Sequence, residues 1–220
     1  MWQKKRRAFT LIEIVVAGAV LSLLFTTVYK VYNGVTNSFK RSNWTLKTQS
    51  LTRNTLTYIR EEIQRSSYSS IITPSSVTIV DSDDYKFRTN APVAPDLEEH
   101  VGSAGDVAAW YICKPTKNVG TIEPGFEIQC TLSYQNKQLL YTRTPSGAAP
   151  QENTLANKVI LGDVDKIGIR MQDEDPGSTN VARLFVLKVW VKHPDAAHFP
   201  NLIVEEETAA KIDILSTTLP

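Results

Sequence analysis

The stretch KKRRAFTLIEIVVAGAVLSLLF, residues 4–25, decides how the rest of the chain is read. Four consecutive cations, Lys4, Lys5, Arg6 and Arg7, stop abruptly and an apolar run follows. From Phe9 to Tyr29 the only residue charged at neutral pH is Glu13. A helix over these roughly 21 residues, rising about 1.5 Å per residue, spans about 30 Å, the hydrocarbon core of a bilayer. By the positive-inside rule, the cationic cluster stays cytoplasmic and the remainder of the chain lies on the far side.

Glu13 is the residue that needs explaining. An acid at the centre of a spanning helix costs on the order of 2.5–3.5 kcal/mol on insertion scales, and Glu13 sits nearer the cytoplasmic end, where the cost is smaller. Three readings of the segment compete. A cleaved secretory signal peptide uses Ala17, Gly18 and Ala19 as a small-residue cut, yet the apolar run continues beyond them through Val20, Leu21, Leu23, Leu24 and Phe25. A plain uncleaved signal anchor accounts for length and orientation and leaves Glu13 without a role.

The third reading uses every residue. RRAFTLIEIVVAGAVLSLL closely resembles the N-terminus of class III prepilins, the type IV pilins and the pseudopilins of type II secretion. The resemblance covers about the first 30 residues. It implies a prepilin-type cleavage/methylation segment, cut by a prepilin peptidase between Ala8 and Phe9, with Phe9 then N-methylated. Glu13 becomes the fifth residue of the mature chain, where the family places its glutamate. The family usually has Gly before the cut, and Ala8 departs from that. Cleavage creates a cationic amine at Phe9, one turn from Glu13. In a stack of such helices the amine of one subunit meets the carboxylate of another inside lipid, so an unpaired charge penalises wrong register. Within a single chain, Glu13 instead pairs with its own Phe9 amine.

The same resemblance implies four regions: a cytoplasmic leader over 1–8, a transmembrane helix over 9–30, its amphipathic continuation over 31–67, and an extracytoplasmic β-rich domain over 68–220. It implies a single-pass protein of the inner membrane that later enters a filament. Its partners are the prepilin peptidase, an inner-membrane assembly platform, other pilin or pseudopilin subunits and membrane lipid.

The continuation rests on residues. From Val35 to Ser67 there is neither Pro nor Gly, and apolar residues fall at Val35, Phe39, Leu46, Leu51, Leu56, Ile59 and Ile63. Glu61 and Arg65 are spaced for an i,i+4 pair. Asn33-Gly34 is a weak point where a kink is expected, and the frequent threonines lower the helix propensity. After SSYSS the texture turns to strands. SVTIVD (76–81) and DYKFRT (84–89) read as a hairpin, and 90–105 as a loop. Residues 106–114, 126–135 and 137–144 read as strands, the last two joined tightly at Asn136. Residues 145–153 read as a loop, and 157–172 and 182–193 as two long strands. The second of these is apolar on one face and mixed on the other, so it is central. Residues 204–220 fit a short helix and strand, or a tail. The fold class is α+β, a pilin-like lollipop with a long N-terminal helix on a mainly antiparallel sheet.

NKVILGDVDKIGIRMQDED and the Val-, Leu- and Trp-rich strand that follows are similar to the C-terminal hairpin of J-type pseudopilins and W-type minor pilins. RNTLTYIREEIQRSS is similar to the end of their long helix. This implies a minor subunit of a type IV pilus or a type II secretion pseudopilus rather than an enzyme. The runner-up is a membrane-anchored binding or sensor domain that does not polymerise.

Bulk properties agree with a folded domain. The chain has 220 residues, 42% hydrophobic and 21% charged, with net charge +1. The near-neutral balance argues against a nucleic-acid binder. Cys113 and Cys130, the only cysteines, suggest one disulfide in an oxidising compartment, the alternative being two buried thiols. Acids at 81–84, at Asp163 and Asp165, and at 173–176 have the oxygen chemistry calcium takes, but none matches an EF-hand loop, so they read as solvated turn acids. His100, His193 and His198 lie in or beside loops. Trp110, Tyr111, Phe185 and Trp190 read as core. No nucleophile elbow, phosphate loop or paired-carboxylate motif stands out, so no catalytic residue, cofactor or metal is assigned.

Overall fold

The structure is a computed structural model that describes residues 10–67, 70–79, 87–91, 98–99, 104–147, 153–173 and 183–212. The chain divides into two compact units, Met1–Thr45 and Leu46–Pro220.

Helix α1, Leu11–Gln64, runs through the sequence of both. In the first unit its apolar side chains are exposed, among them Leu11, Val15, Leu23 and Phe25. Three hydroxyls of the apolar run are satisfied internally. Ser22, Thr26 and Thr27 each donate to the carbonyl four residues back, at 2.8, 2.8 and 2.9 Å. That is how such groups tolerate an apolar surrounding. At Asn33-Gly34, the expected weak point, the helix is unbroken. One glycine costs about 1 kcal/mol relative to alanine, too little to end a long helix.

The second unit is built on three sheets. The strands are β1 (Ser70–Thr73), β2 (Ser76–Ile79), β3 (Arg88–Thr89), β4 (Glu98–Glu99), β5 (Gly105–Lys114), β6 (Thr116–Val119), β7 (Thr121–Glu123), β8 (Phe126–Gln135), β9 (Gln138–Gly147), β10 (Leu155–Leu161), β11 (Val164–Asp173), β12 (Arg183–Lys192) and β13 (Ile203–Ile212). Their orders are β2-β1-β6-β7, β10-β9-β8-β5-β3 and β13-β12-β11-β4. Every described pairing is antiparallel except β1 with β6. The class is therefore α+β with mostly sheet.

Several strands fall where the sequence places them. β8 and β9 are joined by Asn136 and Lys137, both in the left-handed region at φ 51° and 60°, the geometry of a two-residue hairpin turn. β12 is central, paired with β11 on one side and β13 on the other. Its Phe185, Leu187, Val189 and Val191 are buried, while Leu184, Lys188, Trp190 and Lys192 on the other face are partly exposed.

Other expectations need correction. β2 pairs with β1, and Arg88–Thr89, the last two residues of 84–89, form β3 on the edge of β5; residues 80–86 lie outside the described residues. The single strand expected over 157–172 is two, in different sheets, broken at Gly162 and at Asp163, where φ is 57°. A left-handed residue ends a ladder, and the apolar pattern on either side does not reveal it. β6 and β7 were not expected. Residues 203–212 form a strand in register with β12 at all ten positions, and 213–220 lie outside the described residues.

Between Leu46 and Gln64, α1 buries Thr48, Thr52, Thr55, Leu56, Ile59, Glu62 and Ile63. Leu46 and Leu51, expected on the apolar stripe, are exposed instead. Threonines replace leucines on the buried face because small, branched side chains let a helix lie close to strands. The aromatic core joins Phe87, Trp110, Tyr141 and Phe185. Phe87 lies 6.2 Å from Trp110 and 5.1 Å from Phe185, and Trp110 lies 6.0 Å from Tyr141, between ring centres.

Candidate functional site on the N-terminal helix

Ala8 and Phe9 lie outside the described residues, so the site begins at Thr10. Glu13 does not point away from its own chain. Its Oε2 accepts the Thr10 backbone N–H at 2.8 Å and the Thr10 hydroxyl at 3.0 Å. This is the backward half of a capping box, in which an acid at the third helical position satisfies an otherwise unpaired N–H at the helix start. Thr10-Leu11-Ile12-Glu13 carries that pattern, and it is the signal by which Thr10 could have been singled out from sequence. In lipid, two internal hydrogen bonds reduce the cost of the carboxyl without removing it. Leu11, Ile12, Ile14, Val15 and Val16 around it are exposed. Among the described residues one helix, α1, is long and apolar enough to cross a membrane, with an 18-residue window of mean hydropathy 2.3.

The far end of the same helix carries a second carboxylate that the sequence reading left unexamined. Glu62 is buried against the five-stranded sheet, at 4% exposure. Its Oε2 accepts the Tyr141 hydroxyl at 2.8 Å and its Oε1 accepts Arg65 Nη1 at 3.1 Å. Arg65 therefore pairs with Glu62 at i,i+3 and not with Glu61, as its spacing suggested. The Tyr141 oxygen is also 3.2 Å from Cys130 Sγ. Burial pushes the Tyr141 phenol well above its ordinary range, and the neighbouring Cys130 and Glu62 push the same way. Tyr58 packs edge-on against Tyr141, 5.8 Å between centres.

Further contacts seat this end of the helix. Ser67 N–H donates to Tyr111 O at 2.9 Å. The Ser67 hydroxyl donates to Cys113 O at 3.1 Å and accepts Cys113 N–H at 2.8 Å. Arg53 Nε meets Glu206 Oε1 at 2.9 Å, and Thr55 donates to Ile160 O at 3.3 Å.

The expected disulfide is absent, and both cysteines are free. In the β5–β8 register Cys113 faces Glu127 and Cys130 faces Trp110. The two are three residues apart along adjacent strands, roughly 10 Å at about 3.4 Å per residue, and the odd offset places them on opposite faces of the sheet. A disulfide needs Cα atoms within about 7 Å. Burial, with Glu127 nearby, pushes the Cys113 thiol up to about 12. Protein denatured without reductant is thus expected to titrate two thiols, and native protein at pH 8 to react slowly; zero thiols would mean a bridge.

Of the remaining candidates, residues 81–84 and 174–176 lie outside the described residues, as does His100. Asp163 and Asp165 belong to no group of three or more metal-type side chains among the described residues. His193 and His198 bracket a turn: His198 Nδ1 lies 2.9 Å from Asp195 Oδ2, and Asp195 N–H donates to His193 Nδ1 at 3.0 Å. Trp190 is not core. It lies on the outer face of its sheet, its Nε1 donating to Glu205 Oε2 at 2.9 Å, with Lys166 and Lys188 over its ring at 4.4 and 4.7 Å. No family model, curated protein or solved structure matches the chain.

Proposed function

We propose that this chain is a non-enzymatic filament subunit of the pilin and pseudopilin class, of a minor, J- or W-like type. It is processed between Ala8 and Phe9, methylated at Phe9, and held by α1 in the inner membrane with its sheets outside the cytoplasm. The observation that carries this reading is Glu13: the single carboxylate in the apolar run 9–29, whose described apolar side chains are exposed, directly after a cationic leader. An acid so placed has a use where a neighbouring subunit brings an amine, and cleavage before Phe9 makes such an amine. The assembly platform, the peptidase and fellow subunits are the partners of this reading.

One observation favours a second reading, the anchored domain that does not polymerise. Glu13 already has two donors in its own chain, both from Thr10. Intact mass and N-terminal sequencing of protein from native membranes separate the two. The filament reading expects a chain that starts at N-methylated Phe9. A chain that starts at Met1 supports the anchored domain.

A further inference from the structure

The helix–sheet contact has a degeneracy built into it. Leu56, Ile59 and Ile63 are aliphatic residues of similar size at helical spacing, all buried. Burial of apolar area is non-directional, so shifting α1 by one turn replaces two of these three aliphatic contacts with near equivalents and puts a threonine or a serine in the third. Something else must fix where along the sheet the helix stops.

We propose that Glu62, Tyr141 and Cys130 form a register lock that sets the axial position of α1 on the five-stranded sheet. The tyrosine hydroxyl has one proton. The phenol gives it to Glu62 Oε2 at 2.8 Å, with the unexposed Cys130 sulfur beside it as a second acceptor at 3.2 Å. The second oxygen of Glu62 takes Arg65 at 3.1 Å. Each oxygen of the carboxylate has its donor, and the donor that is fixed relative to the sheet is Tyr141 on β9, since Arg65 directly follows α1 and moves with it. A shift of one turn moves the carboxylate by about 5.4 Å, away from Tyr141 and toward apolar side chains. A buried charge without its partner is strongly penalised, whereas a buried pair adds little net stability over an apolar substitute. The lock thus acts on register more than on stability, and Glu62 is a positioning residue. The Ser67 bonds to the β5 backbone hold the same register just beyond the helix end, whereas Arg53 is largely exposed and can follow a shift. This inference does not depend on the filament reading.

The test uses full-length protein in detergent micelles, with Cys113→Ser and the buried Cys130 retained. Gln49→Cys, Arg53→Cys and Thr57→Cys are each combined with Glu206→Cys and treated with a short bis-maleimide. With the lock intact, the 53–206 adduct dominates. In Glu62→Leu/Tyr141→Phe, an apolar pair of similar volume, the ratio of 53–206 to its neighbours is expected to fall several-fold, while cooperative melting and the sheet circular dichroism persist. An unchanged ratio in that folded variant overturns the proposal. Should the leucine variant fail to fold, Glu62→Gln/Tyr141→Phe provides the same readout with the carboxylate's shape kept.

Discussion

If the chain is a filament subunit, exchanging Glu13 for glutamine is expected to leave it membrane-bound and to lower its entry into filaments steeply. Glutamine keeps the length of the side chain, and its amide oxygen still accepts the Thr10 N–H that Glu13 accepts at 2.8 Å. The helix start is therefore preserved. Insertion becomes easier, because a neutral amide is cheaper than a carboxylate in an apolar surrounding. On the filament reading, what is lost is the charge that would answer a neighbour's Phe9 amine. Leaving one member of a buried ion pair alone costs about 3–5 kcal/mol. At about 1.4 kcal/mol per tenfold, that lowers incorporation on the order of a hundred- to a few thousand-fold. The measurement compares wild type with Glu13→Gln in cells expressing the rest of the machinery, quantifying membrane-bound, N-methylated and filament-bound chain. Wild-type incorporation by Glu13→Gln would remove the support for a filament role and leave Glu13 as the cap partner of Thr10. Unchanged methylation with lost incorporation places the defect after processing, where the intersubunit pair would act.

How much was legible differs between the two ends of α1. The long apolar helix was readable because one apolar run leaves a lone acid within it conspicuous. The strand positions of β5, β8, β9 and β12 were readable because period-2 alternation follows directly from burial on one face. The break at Gly162 and Asp163 was not, because a single left-handed residue leaves no trace in hydropathy. The disulfide expectation failed on register: two cysteines seventeen residues apart face each other or not according to the pairing of β5 with β8, which no local spacing encodes. Glu62 was hidden for a similar reason. In sequence it stands in a charged run, Arg60-Glu61-Glu62, beside Ile59 and Ile63. Only the sheet that supplies Tyr141 shows that, of the two acids, Glu62 is the one turned inward. Trp190 shows the converse, an aromatic that composition assigns to the core and that pairing places on an outer face with two lysines.

The largest loss of stability is expected at Trp110. Its side chain has no exposure and is stacked between Phe87 and Tyr141. Trp110→Ala removes the widest ring of the core and leaves a cavity that strands β5 and β8, held by a nearly continuous ladder, cannot close. Such substitutions cost about 3–5 kcal/mol. With about 2–4 °C per kcal/mol for a chain of this size, the midpoint should fall by roughly 6–20 °C in a calorimetric or circular dichroism melt. Trp110→Phe should behave differently. The indole Nε1 is buried with no hydrogen-bond partner among the described residues. Removing an unsatisfied donor returns about 1–3 kcal/mol, which offsets much of the lost ring volume. Phe is therefore expected within about 1 kcal/mol of wild type, and a Phe variant as unstable as Ala would show that the N–H has an acceptor. Trp110 also supports Tyr141 from the side, and Tyr141 is the donor to Glu62. Residues in direct contact do not add independently. Trp110→Ala combined with Tyr141→Phe should thus cost less than the sum of the two, because a tyrosine that has lost its stacking neighbour no longer holds its hydroxyl at Glu62.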